Sequence, residues 1–190
     1  LPKEAAPVVS VASELVSPGE REAAFERLFE TEYARVTAIA FRVLGTASEA
    51  EDVAQEVFCQ FYRLHDPYAR YARPWLYRAA SHLALNVIRG NRRRVEREKA
   101  VARMDRRTAT ADTTELDPSL SFERGENAQE LREAMSRLPR KSASILALRY
   151  SGLSYAEVAD ALGTSVGQIG TLLRRAEHAL RKEVNDDPSI

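Results

Sequence analysis

From Arg78 to Arg93, five polar side chains fall on one line of a helix. Arg78, His82, Asn86, Arg89 and Arg93 follow one another at intervals of four, four, three and four residues, the spacing that puts side chains on a common face. Cations, an imidazole and an amide in one row suit a phosphate backbone with bases beside it. A second helical stretch, Ser48–Leu64, sets Glu49, Asp52, Gln55, Glu56 and Gln60 opposite an apolar stripe. Such a face is either a solvated helix side or a docking surface for a basic partner helix.

A third group lies near the C-terminus, where Leu153–Leu180 reads LSYAEVADALGTSVGQIGTLLRRAEHAL. Ser154 and Glu157 predict a capping box, and Gly163 a left-handed turn that ends the short helix. Ser165, with Gln168 three residues on, predicts the cap of the next helix. Val166, Ile169, Leu173 and Ala176 are expected to point inward. Two short helices around a tight glycine turn can lay the second helix in a DNA major groove. Gln168, Thr171, Arg174, Arg175 and Arg181 then face outward, where Gln can meet adenine, Arg guanine or phosphate, and Thr either. An ordinary helical hairpin with a basic solvated face is the alternative, and Gln168 could serve only as a capping residue.

The elements that position these groups are helical throughout. Phe25, Leu28, Phe29, Val36, Ile39, Ala40 and Val43 recur at helical spacing until Gly45. Ser48, with Glu51 three residues later, predicts the start of the second helix. Cys59 is the only cysteine and falls on its apolar face, as a small core residue. His65–Arg73 reads as an ordered loop, and Pro74 opens a third helix that runs to Arg89 and on past Lys99. Trp75, Leu76, Ala79, Ala80, Leu83 and Val87 are its expected core stripe. No strand pattern occurs, so the chain reads as all-α. The expected organisation is a flexible extension over 1–19, a helical domain over 20–106, an acidic linker over 107–121, a second helical domain over 122–184 and a tail over 185–190.

The net charge is zero, with 28 Lys+Arg against 28 Asp+Glu, but the zero is a cancellation. Arg89–Arg107 holds nine bases and three acids, Thr108–Glu130 six acids and one Arg, and Glu20–Asp66 ten acids and five bases. Distribution decides partners more than the total does. His65, His82 and His178 are scattered, with no metal-ligand spacing, nucleophile motif or phosphate-binding glycine loop. A non-enzymatic chain without cofactor or metal is expected. No apolar run nears the roughly 18 residues of a membrane span, and no signal-peptide pattern opens the chain. A cytoplasmic location is expected, with no membrane insertion.

The strings EDVAQEVF and WLYRAA, followed by a linker and LSYAEVADALG, resemble the extracytoplasmic-function sigma factors of bacterial RNA polymerase, a branch of the sigma-70 family, from about Arg21 to Glu183. The resemblance implies two domains, sigma domain 2 and sigma domain 4, and a subunit that directs core polymerase to promoters and helps open them. Glu49, Asp52, Gln55 and Glu56 would then dock on the clamp helices of the largest subunit. The loop His65–Arg73 and the helix after it would take the melted −10 element, with one base flipped into a pocket of that loop. Tyr68 and Tyr71 become candidate pocket or stacking groups beside Arg78, His82, Asn86, Arg89 and Arg93. The linker would thread polymerase channels, where its negative charge mimics nucleic acid. Ser165, Gln168, Thr171, Arg174 and Arg175 would meet the −35 duplex, and the same domain the flap of the second-largest subunit. The family also admits an anti-sigma protein as a partner.

The chain departs from that pattern in places. His82 stands where a run resembling WLYRIARN carries Asn, and an imidazole cannot offer an amide's paired donor and acceptor. Gly170, Leu172 and Glu177 stand where a run resembling VGTVKSRLHRAR carries cations, a loss that should weaken phosphate anchoring. A helix-turn-helix regulator that binds duplex DNA without polymerase is the competing function. Against it stand the loop tyrosines and the acidic face of Ser48–Leu64.

Overall fold

The computed structural model describes residues 17–105 and 121–185. These form seven helices and no strand: α1 (Pro18–Leu44), α2 (Ala47–Leu64), α3 (Ala72–Asp105), α4 (Ser121–Arg137), α5 (Arg140–Tyr150), α6 (Tyr155–Leu162) and α7 (Val166–Asn185). The linker read at 107–121 lies outside the described residues, apart from Ser121, which opens α4. None of the described helices is long and apolar enough to cross a membrane.

Helix α1 begins earlier than its apolar period announces. Ser17 accepts from the Glu20 amide at 3.3 Å, and the Glu20 carboxylate accepts from the Ser17 amide at 2.9 Å. That reciprocal cap, with Pro18 at the first position, makes residues 17–19 part of the helix and not of an extension. Gly45 ends it in the left-handed region at φ 78°, a conformation that costs glycine nothing. Helix α2 also starts upstream of its expected position. Thr46 is its N-cap, and the Thr46 hydroxyl donates to the Glu49 carboxylate at 2.5 Å. Cys59 is exposed, so its expected core position is corrected. The buried stripe is Ala50, Val53, Ala54, Val57, Phe58 and Phe61, and Cys59 lies just past its edge.

Helix α3 has 34 residues and packs on two sides, against α1 and α2 and against α4, α5 and α6. Two contacts spread its apolar face beyond the expected stripe. Leu76 and Ala80 are buried as the stripe requires, and so are Tyr77, Ala84, Leu85 and Ile88. Trp75, Ala79, Leu83 and Val87 are only partly buried. The apolar cluster is continuous from Val36, Ile39 and Phe61 through Leu85 to Leu148, Leu153 and Ile169. The two helical units therefore share one apolar body across α3.

In the C-terminal unit the expected turn is present. Ser154 and Glu157 form both bonds of the capping box, and Gly163 sits at φ 62°. Ile169, Leu173 and Ala176 of α7 are buried, whereas Val166, expected to point inward, is half exposed. Gly170 shows no close approach: a Cβ there would meet the Tyr155 ring at 3.8 Å, an ordinary contact. Gly170→Ala is therefore expected to raise stability by about 1 kcal/mol through helix propensity, read by thermal unfolding. A loss of stability would mean that the Tyr155 ring cannot yield.

Candidate nucleic-acid and polymerase interfaces

The acidic face of α2 is open for most of its length. Asp52, Gln55 and Glu56 are exposed, one turn apart around the same side. Gln60 donates its amide to Glu56 at 2.7 Å, which orients that carboxylate. Glu49 is half buried and turns away from the others, lining a groove with Arg92 and Arg132 between α3 and α4. Three of the four sequence-predicted docking residues thus share an open surface and the fourth does not.

The loop after α2 is built outward from aromatic packing. Phe61, fully buried, stands edge-on to Trp75 at 5.5 Å between ring centres. The His65 imidazole lies against Trp75 at 4.4 Å and meets Tyr71 edge-on at 5.8 Å. Burial first, and the Arg78 charge second, hold His65 below the usual imidazole range, so it is neutral at pH 7. Asp66 then accepts from the Tyr68 amide at 3.0 Å, an Asx turn that starts the bend. Tyr68 and Tyr71 end up 52% and 50% exposed, the two half-free rings of the loop. Between this loop and α1 lies a cavity of about 380 Å³, lined by Ala24, Arg27 and Leu28 on one side and Tyr68, Arg70 and Arg73 on the other. Cationic groups and an aromatic ring around a cleft are what an unstacked base and its phosphates require.

Behind the cavity sits a buried carboxylate. Glu32 is 4% exposed and accepts from the Tyr77 hydroxyl at 2.6 Å and from Arg73 Nε at 2.7 Å. Burial, and then the bond to Glu32, push the Tyr77 phenol up to about 12, so it remains a donor at working pH. Sequence periodicity gave no hint of this cluster, because Glu32 lies among the exposed acids of α1.

The polar line on α3 divides into free and covered members. Arg78 and Arg93 are exposed. Arg89 donates to the Ser136 and Leu138 carbonyls, at 3.2 and 2.7 Å, which end α4. Asn86 accepts from Arg140 of α5 at 3.3 Å. His82 is half buried there and driven down to about 4 by burial first, then by Arg140, Arg78 and Arg89. Two more bridges join the units at α1. Arg35 reaches Glu157 at 2.6 Å, and Arg42 donates through Nε and Nη2 to the Tyr150 carbonyl at 3.0 and 2.7 Å. The C-terminal unit thus lies on the middle of the line and leaves its two ends in solvent.

Gln168, Thr171, Arg174 and Arg175 of α7, and Ser165 just before it, are all exposed. The Thr164 hydroxyl donates to Gln168 Oε1 at 2.6 Å, so the Gln168 amide is oriented by the turn, not by Ser165. Glu177 accepts from the Tyr150 hydroxyl at 2.8 Å and lies against the body of the domain.

The comparisons with known proteins agree with this anatomy. Residues 28–94 match the family model described as sigma-70 region 2, and residues 128–180 the one described as sigma-70, region 4. The RNA polymerase sigma-H factor of Pseudomonas aeruginosa is 30% identical over 179 residues, covering 89% of this chain and 90% of the relative. The ECF RNA polymerase sigma factor SigW of Bacillus subtilis is 28% identical over 176 residues, 90% of this chain and 94% of that one. A solved structure, CnrH in complex with the cytosolic domain of CnrY, shares the fold at 17% identity, with a TM-score of 0.50 over 89% of this chain and 92% of that chain. With both regions matched in order and a relative aligned almost end to end, the chain belongs to the extracytoplasmic-function sigma factors of the sigma-70 family of RNA polymerase subunits.

Proposed function

We propose that this sigma factor reads the −10 element as single strand at the cavity between α1 and the loop 65–71, and the −35 element as duplex with the exposed face of α7. The observation that carries the first half is the cavity itself, with Arg27, Arg70 and the half-free Tyr68 ring around it. Extruding a base costs a few kcal/mol, which stacking and hydrogen bonding inside such a cavity offset. From there the strand would run along α3 past Arg78, His82, Asn86, Arg89 and Arg93. Asp52, Gln55 and Glu56, with Glu49 at the margin, would dock on the clamp helices of core polymerase. The C-terminal domain would touch the flap of the second-largest subunit. The chain acts by binding, in the cytoplasm where core polymerase works, and phosphodiester chemistry belongs to the polymerase.

Because Arg89 is bonded to the end of α4, His82 is half buried and Arg140 holds the Asn86 Oδ1, the strand reaches the middle of the line only after the two units part. The packed form is then a closed state, and its weight is pH-dependent. His82 takes up a proton at about 4 in the closed form and near 6.5 when freed. Between those values the open form binds more protons, so falling pH favours opening. The radius of gyration from small-angle scattering is expected to rise as pH drops through this window. His82→Asn should flatten that response.

Run-off transcription from a genomic promoter library, with core polymerase and with or without this chain, tests the function. Chain-dependent transcripts sharing upstream motifs are expected. Duplex binding without redirected transcription would replace this reading with that of a helix-turn-helix regulator.

A further inference from the structure

The region 2 match begins at residue 28, yet the first turns of α1 lie before it and hold the loop from one side. Arg21 Nη2 donates to the Tyr62 carbonyl at 2.9 Å and to the His65 carbonyl at 3.3 Å. The same guanidinium lies 5.5 Å from the centre of the Tyr62 ring. Tyr62 is in the last turn of α2, where carbonyls have no partner within the helix and the helix dipole is negative. Arg21 therefore caps α2 and fixes the first loop residue through a single terminal nitrogen, with its guanidinium over the Tyr62 ring. One residue earlier, the Glu20 carbonyl accepts from the Tyr68 hydroxyl at 3.1 Å. The loop is thus tied to α1 at its start and at its middle, on either side of the Asx turn. Ala24 and Arg27, one and two turns further along α1, form the opposite wall of the cavity.

We propose that Arg21 is a positioning residue for base selection. By holding the loop against the first turns of α1, it sets the width of the cavity and the angle at which Tyr68 faces it. This rests on the reading that the cavity takes a base of the single strand. Arg21 need touch no nucleotide. Its bonds go to protein carbonyls, and a role through the loop predicts a change in which base is preferred, not in how many phosphates are neutralised.

The test uses holoenzyme assembled from core polymerase and the full chain, with fluorescein-labelled single-stranded oligonucleotides of the −10 sequence defined by run-off. At each position the oligonucleotide carries one of the four bases or an abasic site, and affinity is measured by anisotropy across a salt series. Wild type should prefer one base over the abasic site at one position. Arg21→Ala should reduce that preference about tenfold, the worth of one well-placed base contact, with the salt slope unchanged. Arg21→Lys, which keeps the charge but loses the guanidinium over the Tyr62 ring, should fall between. Tyr68→Phe, which keeps the ring and cuts only the tie to Glu20, should lower the preference as well, and it stands in if Arg21→Ala does not fold.

Two results would overturn the proposal. One is an undiminished preference in Arg21→Ala or Tyr68→Phe. The other is a salt slope lowered by about one with preference intact, which would make Arg21 a direct phosphate contact. If wild type itself fails to distinguish a base from an abasic site at any position, the cavity reading falls first and Arg21 has nothing to position.

Discussion

Phe61→Ala is expected to destabilise the protein by about 3–5 kcal/mol, the range for truncating a fully buried phenylalanine. The ring has no exposed surface and fills the space between α2 and α3. It is also the floor of the loop cluster, with Trp75 and His65 both resting on it at 5.5 and 5.4 Å. Two effects should therefore appear together. Thermal unfolding should shift down by about 6–20 °C, taking 2–4 °C per kcal/mol for a chain of this size. The variant should also lose single-strand binding at temperatures where its helices are still folded, because His65 and Trp75 no longer fix the loop. Cys59→Ser, two residues back on the exposed side of α2, is the matched control and should change neither. A Phe61→Ala protein within 1 kcal/mol of wild type would mean that α2 and α3 close over the gap and that the floor is not specific to this ring.

That coupling shows which parts of the molecule were legible in the sequence. Local chemistry was: the Ser154–Glu157 box and the Gly163 turn are decided by neighbours three to nine residues apart. Where two local solutions compete, the sequence leaves them level. Thr46 with Glu49 and Ser48 with Glu51 are both S/T-x-x-E patterns, and the helix starts after Thr46, whose hydroxyl bonds the Glu49 carboxylate and not a backbone amide. The α3 stripe was half legible, because a helix wedged between two packing partners buries more than one face and blurs its period. Glu32 was unreadable. A buried acid looks like an exposed one until Tyr77 and Arg73, more than forty residues away, are seen beside it. Arg21 was hidden in the same way, inside a block whose net charge is negative. Three of its five cations, Arg21, Arg35 and Arg42, serve carbonyls or a carboxylate of the protein, which charge counting cannot reveal.

The double charge reversal Arg35→Glu/Arg42→Glu is expected to open the molecule and strengthen −10 strand binding. Arg42 gives the Tyr150 carbonyl two bonds, and a charged donor lost from a carbonyl costs about 1.5–3 kcal/mol. Arg35 and Glu157 are both partly solvated, so their pair is worth at most about 1 kcal/mol. Reversal replaces that attraction with repulsion between two carboxylates. A total of about 3 kcal/mol shifts the closed-to-open ratio by two orders of magnitude. Neither arginine belongs to α7 or lines the cavity, and Arg35 reaches the cluster behind the cavity only through the Tyr77 hydroxyl at 3.4 Å, so most contacts to DNA are kept. Apparent strand affinity should then rise by up to the same factor, because binding no longer has to wait on a minor open population. Scattering should report a larger radius of gyration at neutral pH. Affinity for the −35 duplex should stay constant, since Gln168, Thr171, Arg174 and Arg175 are exposed already in the closed form. That constancy separates opening from a general change in charge, which would weaken both DNA interactions together. If the radius grows while strand affinity stays fixed, the row His82–Asn86–Arg89 is not where the strand binds. If neither moves, the apolar packing of α5 and α6 on α3 holds the units together without help from the arginines, and opening must be driven by a partner that competes for that apolar face.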